Sequence, residues 1–288
     1  MIIGTDKLRR FLRRRGLDIV RISAAPGQAP PLVEHLVDQL LARGEAELAA
    51  YPVPVEQLTW DNGFSLHPDG WNPFLQSARE YLSGRQTQYA GSALERFYRL
   101  YAPETAAAYL CPELPAGGPL SALQAAAYIH PWSLRSPAQR LKERRRQNRA
   151  EERQLGPGNR ASGLNRMGPV SPEKGRIEFT RLTRLADSIG RRGYDRTLVR
   201  DVEVAALRRD GQMRYVIVSG YHRAAVLAAL GWTQIPVLLK PRQILDETLL
   251  QNAPALRSGY WNGAELAAYL DYLFSENGTG RASELGVL

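Results

Sequence analysis

The 288 residues, 44% hydrophobic and 23% charged, hold enough apolar side chain for a sizeable core without help from disulfides. A single cysteine, Cys111, excludes an internal disulfide and a four-thiolate zinc site, and no run of about 18 apolar residues marks a membrane-spanning helix. The formal charge of +9 is concentrated: residues 1–21 hold seven Lys/Arg against two Asp, residues 139–153 hold seven against three Glu, and the rest of the chain is balanced.

The N-terminal stretch MIIGTDKLRRFLRRRGLDIVRIS is basic but lacks the apolar region of a secretory signal, so a cytoplasmic location is expected. Residues 1–135 read as mainly helical. Leu32, Val33, Leu36, Val37, Leu40 and Leu41 recur at helical spacing ahead of Gly44. Phe74, Leu75, Ala78, Tyr81 and Leu82 repeat the pattern and stop before Gly84. Ser92 and Glu95 have capping-box spacing in front of Leu94, Phe97, Tyr98 and Tyr101. Between the last two helices and the first lies TWDNGFSLHPDGWNPF (59–74), whose turn residues and aromatics predict a long loop pinned to the core. Residues 136–170 begin as a charged helical stretch and become Gly/Pro-rich from Gly156, the composition of a linker. GPGNRASG there lacks the Lys-Ser/Thr ending of a P-loop.

From 171 onward the pattern sharpens. Phe179, Leu182, Leu185 and Ile189 share one helical face. TLVRDVEVAAL and MRYVIVS predict two strands joined at Asp210-Gly211, a hairpin turn. Ser219-Gly220 breaks the second strand, YHRAAVLAALG forms a short helix, and QIPVLLK is a further strand in which Pro236 implies an edge or a strand start. SGYWNGAELAAYLDYLF predicts a turn and one amphipathic helix, followed by a polar tail, 276–288.

The strand-to-helix junction at 219–223 is the chemical focus. A glycine ahead of a helix lets a ligand approach the backbone, and the first helical N–H groups are unpaired and carry the positive end of the dipole. His222 and Arg223 add an imidazole and a guanidinium able to grip phosphate oxygens in a planar, bidentate way. In the preceding helix Arg181, Arg184 and Ser188 fall at i, i+3 and i+7, on the side away from Phe179 and Leu182. Other chemistry has little to stand on: His35, His67, His130 and His222 are scattered, HPD at 67–69 is at most two ligands, and neither GxSxG nor HExxH occurs. No metal-ligating set is expected.

Gly220, His222, Arg223, Gly231, Ile235, Pro236 and Val237, in that order, together with LADSIGRRGY at 185–194, resemble the ParB/sulfiredoxin family over residues 171–240. The flanks GPVSPEKGRIEF and SGYWNGAELAAYLDYLF are similar to a bacterial group of ParB-like proteins. The resemblance implies an α/β (α+β) domain spanning 171–275 with its C-terminal helix. It also implies a nucleotide or phosphorylated ligand held by Ser219, Gly220, His222 and Arg223, with Arg181, Arg184 and Ser188 completing the cradle. ATP or CTP with Mg²⁺ would be the cofactor, and small-molecule kinase or NTPase activity would use Glu178 or Asp187 to activate a hydroxyl. Two departures narrow it. Tyr221 stands where sulfiredoxins carry their catalytic cysteine, so thiol repair chemistry is not expected. Only 48 residues follow Lys240, with no recognition helix among them, which counts against sequence-specific DNA binding. The alternative is a ParB-like regulator that grips nucleic-acid phosphates with segments 1–21 and 139–153. The oligomeric state is not legible.

Overall fold

The computed structural model describes residues 50–155, 162–197 and 201–288. The helix expected over 32–41, the first basic segment and the Gly-rich stretch 156–161 lie outside the described residues. The chain is an α+β protein. Its helices among those residues are α1 (Pro73–Leu82), α2 (Ala93–Leu100), α3 (Ala106–Leu110), α4 (Pro137–Leu155), α5 (Pro172–Arg192), α6 (Tyr221–Ala229), α7 (Pro254–Arg257), α8 (Gly263–Ser275) and α9 (Thr279–Glu284). Its strands are β1 (Tyr51–Pro54), β2 (Leu58–Thr59), β3 (Val202–Arg209), β4 (Gln212–Ser219) and β5 (Gln234–Asp246), in one sheet of order β1-β5-β3-β4-β2.

The expected series of helix, strand, strand, glycine turn, helix and strand is present as α5-β3-β4-α6-β5. β3 and β4 form an antiparallel hairpin whose turn residues, Asp210 (φ 47°) and Gly211 (φ 73°), are both left-handed, as a two-residue turn matched to strand twist requires. β5 returns through α6 to lie parallel to β3. It differs from expectation in two ways. It runs on past Lys240 to Asp246, with a register shift opposite Val204/Ala206. It is also an interior strand, flanked by β1 and β3. Pro236 is tolerated because it sits at the strand's start, opposite Pro52 of β1, while pairing with β3 begins only at Val237.

The described part of the N-terminal region, from residue 50, is not a separate layer. β1 and β2 complete the two edges of the same sheet, and one continuous core runs from Val53 to Val287. The loop after β2 is pinned inside that core: Trp60, Phe64, Trp71 and Phe74 are buried, with Trp60 edge-on to Phe74 and Phe64 edge-on to Phe97. Asn72 caps α1 by accepting from the amides of Phe74 and Leu75. Ser92 caps α2, but Glu95 reaches the Gly91 amide instead of that of Ser92, so the expected capping box is only half formed. A complete box starts α8, between Asn262 and Glu265.

Two segments read as polar from sequence are built into the structure. Residues 137–155 form the long helix α4, started by reciprocal hydrogen bonds between Ser136 and Gln139. Residues 276–288 contain α9 and return to the core at Ala282 and Val287. Arg281 is 5% exposed, donates to the carbonyls of Asn62, Ala108 and Tyr109, and lies 4.8 Å from the Tyr101 ring. A buried arginine is tolerated there because carbonyls take its protons and aromatic faces take its charge. No helix among the described residues is long and apolar enough to cross a membrane.

Candidate functional site

The site lies where β4 ends and α6 begins. Gly220 is the N-cap of α6, left-handed at φ 88° and ψ 24°. A Cβ there would sit 3.0 Å from the Arg223 guanidinium and 3.2 Å from the Val202 Cα. Gly220→Ala is therefore expected to cost about 1–2 kcal/mol, the penalty of a left-handed L-residue. A shift in urea midpoint worth less than a few tenths of a kcal/mol would show that the turn relaxes freely. The first intrahelical bond is Ala224 N–H to the Gly220 carbonyl, which leaves the amides of Tyr221, His222 and Arg223 directed out of the helix.

Three side chains leave this first turn in different directions. Tyr221 points into the core, edge-on to Trp60, with the Arg166 guanidinium 4.8 Å above its ring. Burial pushes its phenol up to about 12, so it stays protonated. The His222 ring packs at 4.4 Å on Phe74 and brings Nε2 to 2.9 Å from a Glu178 carboxylate oxygen. Arg223 folds back over Gly220 and is half-buried; among the described residues it has no ion-pair or hydrogen-bond partner.

Opposite stands α5, started by Ser171, whose hydroxyl accepts from the Lys174 amide. Its face towards α6 carries Lys174, Glu178 and Arg181. Glu178 is fully buried, 2.8 Å from Lys174 Nζ and 2.9 Å from an Arg181 guanidinium nitrogen. Glu151, from α4, pairs with the same Lys174 and lies 3.0 Å from Arg181. Burial alone would raise the Glu178 carboxyl, but His222 and then Lys174 override it and hold it down to about 2.

Ser219, Gly220, His222, Arg223, Arg181 and Glu178 thus line one cavity of about 430 Å³, within the range of small-molecule sites. The remaining candidates do not reach it. Arg184 is exposed, Ser188 accepts from Arg192, and both carboxylate oxygens of Asp187 share the proton of the Tyr81 hydroxyl. Helix geometry explains the difference. Ser188 lies seven residues, roughly 10 Å, farther along the axis than Arg181, and Arg184 is turned about 60° off that face. Lys174 and Glu151 also line it and are not among the residues expected from the sequence. The signal for Lys174 was present, because Lys174, Glu178 and Arg181 recur at i, i+4 and i+7 and share a face. Nothing local links Glu151 to them.

The carboxylates Glu151 and Glu178 are both held by Lys174 and Arg181, and the described residues contain no cluster of three or more potential metal ligands. A divalent ion fits this site only as a companion of a ligand's phosphates.

A second polar centre supports the first. Asp61, fully buried, accepts from Tyr109 (2.7 Å), from His130 (2.7 Å) and from Arg166 (2.6 Å). Because an ionised carboxylate can only accept, His130 must carry its proton on Nε2. The Arg166 held in this way is the one that covers Tyr221. Comparison of the chain with family models, with curated proteins and with solved structures finds no match.

Proposed function

We propose that the chain is a ParB/sulfiredoxin-like protein that binds a nucleotide or another phosphorylated small molecule at the Gly220–Arg223 turn. One observation carries the reading: the partnerless Arg223 guanidinium lies beside three outward-directed amides in a cavity of small-molecule size. Those amides and Arg223 hold terminal phosphate oxygens. Lys174, Arg181 and Arg223 outnumber Glu151 and Glu178, which leaves the cavity positive even with His222 neutral. Glu178, ionised down to about 2, is a weak proton acceptor; its part is to hold Lys174 and His222 in place. ATP or CTP with Mg²⁺ are the ligands to try first, with phosphoryl transfer or NTP hydrolysis as the chemistry to assay. A cytoplasmic location belongs to the same reading.

Thermal denaturation with ATP, ADP, CTP, GTP and nucleotide sugars, each with Mg²⁺, tests it. A ligand at 100 times its Kd is expected to stabilise the fold by about 2.7 kcal/mol. Arg223→Ala should weaken that ligand by about tenfold or more, since it removes a charge-assisted contact. Absence of stabilisation by every phosphorylated compound would overturn the proposal.

A second reading is supported by α4. Lys142, Arg145, Arg146, Arg149 and Arg153 are all exposed on its outer side, and none has an ion-pair partner among the described residues. Such a stripe suits the backbone of a nucleic acid. Affinity for a duplex of arbitrary sequence would then fall steeply with salt, with a log–log slope of about −0.9 per phosphate contacted. A flat salt dependence leaves the nucleotide reading alone.

A further inference from the structure

We propose that a second oxyanion site, for a phosphate or carboxylate group of a small molecule, lies between α4 and Tyr128, built on Arg144, Arg140 and Arg166. It adjoins the Gly220–Arg223 cavity without depending on it: the two share a wall that includes Tyr221 and Val218, but the arginines belong to the second alone. The second cavity has a volume of about 200 Å³.

Arg144 carries the inference. It is only 8% exposed, and among the described residues it has no carboxylate partner and no hydrogen bond. Its guanidinium lies 4.3 Å from the Tyr128 ring, with those of Arg140 and Arg166 at 5.6 and 5.4 Å from the same ring. A buried arginine ordinarily finds an acceptor, because an unpaired buried charge is costly. The neighbouring acids are already committed. Asp61 receives Arg166, and Glu143 receives Arg135 at 2.6 Å and stands 4.0 Å from Arg140. The Tyr128 hydroxyl, on the same cavity wall, is buried and also without a partner among the described residues. Three guanidinium groups and one phenol thus line a space whose two neighbouring carboxylates, Asp61 and Glu143, are already paired with Arg166 and Arg135. Burial first, and Arg140 second, push the Arg144 guanidinium down to about 10, the direction an incoming anion would reverse. A planar carboxylate or a tetrahedral phosphate supplies the missing acceptor oxygens.

Isothermal titration of the full chain at constant ionic strength, with inorganic phosphate and separately with malonate, tests the site. Tripolyphosphate serves as the probe of the Gly220–Arg223 turn. Arg144→Gln is expected to weaken phosphate or malonate by about tenfold or more, the loss of a charged hydrogen-bonding partner, while tripolyphosphate binding stays within about twofold. Arg223→Gln is expected to do the reverse. Should Arg144→Gln fail to fold, Arg140→Gln, at a half-buried position on the same cavity, takes its place. The anion that responds identifies the group recognised. If neither anion binds the wild-type chain, or if the arginine variants bind both as tightly as wild type does, the site does not exist. Failure of tripolyphosphate to bind would overturn the Gly220–Arg223 reading and leave this one standing.

Discussion

Asp61→Asn is expected to remove about 3–5 kcal/mol of stability, the cost of stripping a buried ion of its partner. Asp61 is wholly inside the protein and accepts from a phenol, an imidazole and a guanidinium. Burial by itself would raise its carboxyl; the charge of Arg166, followed by the His130 and Tyr109 hydrogen bonds, instead drives it far below the ordinary range. Asparagine matches the shape but not the charge. Arg166 would be left as a buried cation, and the amide would point a donor at one of three donors. Against a typical total of 5–15 kcal/mol the loss is severe. It should appear as a lower urea midpoint with an unchanged slope, since the native state need not expand. A loss below about 1 kcal/mol would mean that water already shares this centre. Because Arg166 covers Tyr221 and lines the second cavity, the same substitution should also disturb the start of α6.

Glu178→Gln ranks next, at about 3 kcal/mol, and it carries a pH signature. The Glu178 carboxyl falls from an ordinary 4.5 to about 2 in the fold. A group with a depressed folded pKa stabilises above its unfolded value and loses that contribution as pH falls. The difference in stability between wild type and Glu178→Gln should therefore be full above about pH 5 and shrink between pH 4.5 and 2. Other carboxylates titrate in both proteins and cancel in the difference. The expected size follows from about 1.4 kcal/mol per pKa unit, tempered by the strong pairing with Lys174 and Arg181. A difference that stays constant from pH 6 to pH 3 would show that Glu178 is not held ionised by its neighbours. The variant also leaves Lys174, which is 5% exposed, with Glu151 as its one remaining carboxylate partner among the described residues, so part of the loss reports on that buried ammonium.

These two centres show the limits of a local reading in different ways. The resemblance offers Glu178 or Asp187 equally as the group that activates a hydroxyl, and only Glu178 lies at the Gly220 turn. Its actual surroundings, two cations and an imidazole, suit a fixed anion instead. Asp61 stands in an aromatic loop with no local signal to mark it. Its partners His130 and Arg166 are 69 and 105 residues away, and neither stands in a recognisable spacing with it. In the sequence Arg144 is one charge in a basic run; that it turns inward while Arg145 and Arg146 face solvent follows from the roll of α4 on Tyr128.

What the sequence determined by itself is local and periodic. The apolar faces of α1 and α5, the Asp210-Gly211 hairpin and the glycine that opens α6 follow from spacings of 2 and 3.6 residues, and from the one residue type that accepts a positive φ without strain. The order from α5 to β5 followed from the same signals. The tertiary structure alone decided that β1 and β2 would close the edges of that sheet, that the charged helix over 137–155 would wall the two cavities, and that Arg281 would end inside the core. The reason is physical. Burial of a charge is decided by whichever distant groups fold against it, and contacts made across a hundred residues leave no period in the chain.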